Sequence, residues 1–245
     1  AALTSRSGAL IYEALKELFD ELTPSIEPTD YYPLILKSML VHGCSWGEIG
    51  DNLATILNDS NNKTEIKHRI SQWIGHGMPD VDRVLYCTET RITLIGYGDL
   101  YSEEAHIYRL PLPPSISAKK EWRRLTSTLA WFSPISSNTQ KYRDASLWFE
   151  LNKDIIGLKR QEVDWQAARR GTIQHEVFEG DSASPFEEGD DIEIKVNCRE
   201  DANKIDERIP YGLAVTFEVS EGLDISIYEE IRSRIATKVQ IQQQT

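Results

Sequence analysis

Near residue 88 the hydrophobic period of the sequence changes from 3.6 to 2, and that change limits the folds open to the chain. Upstream, Leu3, Leu10, Ile11, Ala14, Leu15, Leu18, Phe19 and Leu22 recur at helical spacing, and Thr23-Pro24 should end that helix. A second helix is expected after Pro28, with Thr29 or Asp30 as its cap and Tyr32, Ile35, Leu36, Met39 and Leu40 as its apolar stripe. Two more helices are expected near 49–57 and 64–74, separated by the polar stretch 58–62. Gly75-His76-Gly77-Met78-Pro79 breaks the chain.

Downstream, alternation predicts strands over 91–95, 105–110, 125–132, 146–150, 172–178, 191–197 and 213–219. A helical turn is expected at 163–169, a helix at 226–235 and a last strand at 238–241. Helices followed by strands make an α+β chain with two folding units, a helical one over 1–87 and an all-β one over 88–245. Many short strands separated by loops suggest a sandwich or jelly roll.

The 245 residues carry a formal charge of −12, and both segments are acidic. A chain of that sign is repelled by a phosphate backbone, which argues against nucleic acid as a partner. No apolar run is long enough to span a bilayer as a helix, so no membrane partner is expected. Cys44, Cys87 and Cys198 are odd in number and widely spaced, which makes a poor disulfide framework and points to thiols in a reducing cytoplasm.

Two stretches resemble the subtilisin-like serine peptidases. Ala1-Ala2-Leu3-Thr4-Ser5-Arg6-Ser7-Gly8-Ala9-Leu10 resembles the long helix that follows the nucleophile, where small residues let the helix run through the middle of the domain. Tyr32–Val41 resembles the next helix, and 75–80 resembles a Gly-x-Gly turn before the last helix of the catalytic domain. The second stretch, 124–134, contains Thr128-Leu129-Ala130-Trp131 and resembles the strand opening the C-terminal sandwich of larger bacterial members. The segments around 171–176 and 196–201 are similar to cytoplasmic members with such a tail.

The resemblance implies a fold: the C-terminal helices of a subtilisin-like α/β domain, followed by a β-sandwich. It implies a reading of the chain as a fragment whose nucleophilic serine lies about three residues before Ala1, with the Asp and His farther upstream. No triad residue then falls in this chain. The implied partners are the N-terminal remainder of the peptidase, a protein or peptide substrate, and an AAA-type ATPase acting with it in phage defence.

The residues themselves leave alternatives open. Leu3-Thr4-Ser5 mimics Gly-Thr-Ser, but Ser5 falls one turn into a helix, where a packed or exposed serine is the plainer reading. His42, His68, His76, His106 and His175 show no metal-ligand spacing, so neither a metal nor a cofactor is expected. His175 and Glu176 are neighbours on a strand and must point to opposite faces. Glu187-Glu188-Gly189-Asp190-Asp191 has the oxygen ligands calcium takes but not their ordered alternation, so a solvated loop is expected there, and the same holds for Glu200-Asp201 beside Asp206-Glu207.

Arg123-Arg124, Lys159-Arg160 and Arg169-Arg170 suit ion-paired strand ends better than a docking face. Trp122, Trp131, Trp148 and Trp165 fill a sandwich core or line a carbohydrate groove, with Trp131 placed in the core by its alternation with Leu129 and Leu125. The rival to the peptidase reading is a non-enzymatic, protein-binding adaptor.

Overall fold

The computed structural model describes residues 2–22, 28–57, 63–117, 119–136, 142–152, 159–162, 171–180, 186–187, 189–222 and 225–242. The expected turn at 163–169 and strand-end pair Arg169-Arg170 lie outside them, as do Trp165 and Glu188.

The organising strand is the last one, Ile209–Val219. Its alternate residues point to opposite faces, yet nearly all of them are buried. Tyr211, Leu213, Val215, Phe217 and Val219 enter one large apolar core. The residues between them, Gly212, Ala214, Thr216 and Glu218, are small or polar and face a second layer. A strand buried on both sides implies a three-layer arrangement, and that is what the chain forms.

The helices are α1 (Ala2–Leu22), α2 (Tyr32–His42), α3 (Gly47–Ile56), α4 (Lys63–Ile74), α5 (Val81–Leu85) and α6 (Ile227–Gln242). The strands are β1 (Cys44–Ser45), β2 (Met78–Pro79), β3 (Arg91–Leu100), β4 (Ala105–Pro111) and β5 (Arg123–Trp131). They continue with β6 (Ala145–Leu151), β7 (Lys159–Glu162), β8 (Ile173–Gly180), β9 (Asp191–Glu200) and β10 (Ile209–Val219). A five-stranded antiparallel sheet runs β3-β10-β5-β8-β7, and a three-stranded one runs β4-β9-β6. The class is α+β.

The two sheets face each other across the large core, which includes Leu125, Leu129 and Trp131 of β5 with Ile192, Ile194 and Val196 of β9. Gln174 of β8 stitches them: its amide accepts from Phe149 N at 2.8 Å and donates back to Phe149 O at 3.3 Å, as a strand neighbour would. At one end α6 closes the sandwich with Ile227 and Ile231, both fully buried. On the outer face of the larger sheet, Ile11, Leu15 and Phe19 of α1 pack with Ile35 and Met39 of α2, Val84 of α5 and Ala214 of β10. Residues on both sides of position 88 therefore share this layer.

Three local expectations change. Neither Thr29 nor Asp30 caps α2: a 3-10 turn over Thr29–Tyr31 follows Pro28, and α2 begins directly after it with a proline in its first turn, where a missing N–H costs nothing. The strand expected at 238–241 is instead the end of α6, because an established helix gains one hydrogen bond per residue added, whereas a lone strand there would have no partner. The strand β7 was not anticipated, since Lys-Arg-Gln-Glu shows no alternation of apolar residues.

Candidate functional site

A concentration of buried polar side chains lies between α2 and the outer face of the five-stranded sheet. Tyr32–His42 ends with its last residue, His42, turned onto β5 and β10. Nδ1 of His42 meets Thr128 Oγ1 at 2.8 Å, and Nε2 meets Thr216 Oγ1 at 2.7 Å. Thr216 also meets Thr93 of β3 at 2.7 Å, and Thr128 meets Nδ1 of His175 on β8 at 2.7 Å. The result is one chain, Thr93–Thr216–His42–Thr128–His175, crossing four adjacent strands.

Proton bookkeeping constrains this chain. A neutral imidazole carries one N–H and one lone pair, and each hydroxyl donates once. If His42 donates to Thr216, then Thr128 donates to His42 and accepts from His175 Nδ1, which leaves a lone pair on His175 Nε2. If the chain runs the other way, His175 Nε2 carries an N–H. Either way that nitrogen is buried without a hydrogen-bond partner. A buried donor or acceptor left unpaired costs about 1–3 kcal/mol, so this end of the chain is a cost in either polarity.

Both rings are held neutral. Burial first, and then Arg83 and Arg124, lower the His42 pKa to about 3. Burial, with His42 and His76 next, takes His175 well below its ordinary range. The ring of His76, in the Gly75–Gly77 turn, stands edge-on to His175 at 5.8 Å between centroids. It is half-buried, and burial lowers its pKa. Among the described residues no group of three or more His, Cys, Asp or Glu side chains is arranged to hold a metal ion. With His42 and His175 both sealed from solvent, the arrangement suits clamping a helix to a sheet rather than exchanging protons with a substrate.

Three further polar links fasten the helices to the same face. Lys37 of α2 donates to Thr172 Oγ1 at 2.6 Å and to the carbonyls of Thr172 and Trp131, and burial lowers its pKa. Arg83 of α5 donates to both carboxylate oxygens of Glu218, at 2.7 and 2.6 Å. Tyr31 donates to Asp99 Oδ2 at 2.7 Å, and Asp99 also pairs with Arg208.

The other sequence candidates are scattered. Ser5 is exposed on α1. His68 sits on α4 beside Gln72, and His106 bonds Tyr211 Oη at 2.7 Å at the sandwich edge. As alternation requires, Glu176 turns inward from His175 and accepts from Gln174 at 2.7 Å. In the acidic loop, Asp190 spends a carboxylate oxygen on Glu187 N, and Gly189 takes a φ of 105°. Near the second acidic pair, Glu200 accepts from Ile205 N and Asp201 pairs with Arg143.

Arg123 is not at the surface, where an ion-paired strand end was expected. It is fully buried, donates to the carbonyls of Ile116 and Lys119, and stacks on Phe186. Trp131 is fully buried in the core, whereas Trp122 and Trp148 are half-buried and bond Glu179 and Glu150. Cys87 is exposed, while burial raises the thiols of Cys44 to about 11 and Cys198 to about 12. The His42 network was missed from sequence. The available signal was β10 itself, whose second face carries Gly212, Ala214 and Thr216 and so invites a close neighbour.

No helix among the described residues is long and apolar enough to cross a membrane. No protein-family model matches the sequence. The chain is similar to an uncharacterized protein, y4bN, of Sinorhizobium fredii, at 23% identity over 125 residues, covering 51% of this chain and 26% of that protein. The match thus spans about a quarter of the relative's length. Among solved structures, Aeromonas hydrophila PliG, a periplasmic inhibitor of g-type lysozyme, aligns with 53% of this chain and 87% of its own at 14% identity. Its TM-score of 0.19 is too low to carry an argument about fold or function.

Proposed function

We propose that this chain is the scaffold and accessory portion of a subtilisin-like serine endopeptidase of the bacterial cytoplasm, with the catalytic triad on polypeptide outside these residues. The observation that carries the reading is α1. It buries Ser7, Gly8, Ile11, Leu15 and Phe19 against the rest of the chain, yet leaves Leu3 53%, Leu10 41% and Tyr12 47% exposed on its flanks. An apolar surface wider than the face it packs fits a helix that meets further polypeptide along its flanks. The small residues Ser7 and Gly8 suit the close packing such a helix needs.

In that setting the nucleophile would sit at the head of α1. A base and an oxyanion hole elsewhere would activate it and hold the developing charge. This chain's task is placement: α1 packs on α2, and α2 is fixed to the sheet through His42 and Lys37. Reacting groups tolerate little displacement, so a rigid back wall matters to rate. The sandwich would add stability or dock partners, an AAA-type ATPase in a phage-defence pair among them.

A non-enzymatic adaptor is the second reading. It is favoured by the sealing of His42 and His175, which leaves neither available as a base.

One experiment separates the two. The polypeptide extended upstream of Ala1 and the 245-residue chain are each treated with a fluorophosphonate label and a fluorogenic peptide substrate. The peptidase reading expects labelling and hydrolysis by the extended form, lost when the serine of its Gly-Thr-Ser becomes alanine, and neither by the chain alone. Hydrolysis by the chain alone, blocked by a serine-reactive inhibitor, sinks the reading. So does an upstream sequence without Gly-Thr-Ser.

A further inference from the structure

A cleft of about 470 Å³ opens where β1 and β2 meet the starts of α3 and α5. Its apolar lining includes Trp46, Ile49 and Met78, and its acidic lining is Glu48, Asp80 and Asp82. Among the described residues no basic one lines it. Ile49 is 56% exposed and Met78 62%, so bulky apolar surface stands open to water between carboxylates.

The walls are fixed by backbone bonds. Cys44 and Ser45 pair with Pro79 and Met78, and Asp80 N donates to Gly43 O at 3.0 Å. The Trp46 indole donates to Gly75 O at 2.9 Å. Gly77 has a φ of 94°, and a Cβ there would lie 2.1 Å from Ser45 O, so the turn demands glycine. Asp80 caps α5 by accepting from Arg83 N. Arg83 is the only basic side chain on α5, and its guanidinium is committed to Glu218 on the opposite side. That helix therefore offers no cation to the carboxylates of the cleft.

We propose that this cleft docks a peptide segment of a partner protein in which bulky apolar anchors are flanked by lysine or arginine. The apolar anchors would bury Ile49, Met78 and Trp46, and the flanking cations would meet Glu48, Asp80 and Asp82. Charge of one sign around an apolar centre selects partners by complementarity and speeds their encounter. The preformed walls lower the ordering cost of binding. The inference does not depend on the peptidase reading, because none of the residues that line the cleft lies on α1.

The test uses the whole chain and two fluorescein-labelled peptides of about 15 residues. One carries Leu and Trp anchors at helical spacing among Lys and Arg, and the other has Glu in place of every cation. Fluorescence anisotropy is followed at low and physiological salt. The basic peptide is expected to bind saturably and about tenfold more tightly than the acidic one, with the preference shrinking as salt rises. Glu48→Lys with Asp82→Lys should erase the preference, and Ile49→Ser with Met78→Ser should weaken the basic peptide about fivefold.

These side chains are exposed, so circular dichroism should be unchanged. If the charge reversal perturbs the fold, Glu48→Gln with Asp82→Asn gives the same readout. Equal binding of both peptides, or binding indifferent to these changes, overturns the proposal. Self-association abolished by Ile49→Ser would make the cleft a contact between copies instead. Loss of binding when the upstream polypeptide is attached would assign the cleft to an internal segment, and that also overturns it.

Discussion

Gly212 of β10 lies directly beneath the backbone of Ile35 on α2: a Cβ at Gly212 would stand 2.7 Å from Ile35 N. The neighbouring carbonyl carbon of Leu34 would be as close. Backbone atoms of a helix cannot step aside as a side-chain tip can, so the helix rests on the sheet only because this residue has no side chain. Gly212→Val should lift the start of α2 and cost about 1–3 kcal/mol. Urea unfolding should show a lower midpoint with an unchanged slope. An unchanged midpoint would mean that α2 does not lie on β10 as described.

His42 and His175 make stability depend on pH in a window set by their lowered pKa values. Unfolded histidines take up protons near pH 6.5, whereas His42 in the folded chain does so only near pH 3. Between those values the unfolded state binds more protons, so stability is full above about pH 6.5 and declines as pH falls toward 3. Each such histidine contributes up to about 1.4 kcal/mol per pH unit in that window. Denaturation midpoints should therefore fall already between pH 6.5 and 5, before most carboxylates titrate. His42→Gln should lower stability at pH 7.5, because Thr128 or Thr216 loses a partner, and should flatten the slope. Identical slopes for the two proteins would remove His42 from this role.

The strands of the sandwich were legible because Leu125, Leu129 and Trp131 alternate with smaller residues, and one face of each strand answers to one core. The polar layer was not legible. His42 and Thr216 are 174 positions apart, and nothing local in either marks the other as its partner. Threonine is also an ordinary strand residue, so Thr93, Thr128 and Thr216 read as propensity rather than as a network. The pairing of Arg83 with Glu218 was hidden in the same way, across 135 positions. Topology brought these groups together, and topology is what a single sequence leaves most open.

Glu218 is the anion on which three arginines converge: Arg83 at 2.6 Å, and Arg91 and Arg124 each at 4.0 Å. Its side chain is only 9% exposed, while the arginines keep 19–27%. The two ends of this cluster should therefore differ in their sensitivity to mutation. Glu218→Gln removes the carboxylate on which the three arginines converge, in a place with little water, so it should cost about 3–5 kcal/mol. Arg83→Gln removes one donor but leaves Glu218 beside Arg91 and Arg124, and the partly exposed arginine is screened, so the cost should be about 1 kcal/mol. Guanidinium unfolding would mask the difference by screening, which makes urea at low salt the better measurement. Equal losses at the two positions would show that the pair acts as an isolated bridge and that Arg91 and Arg124 take no part.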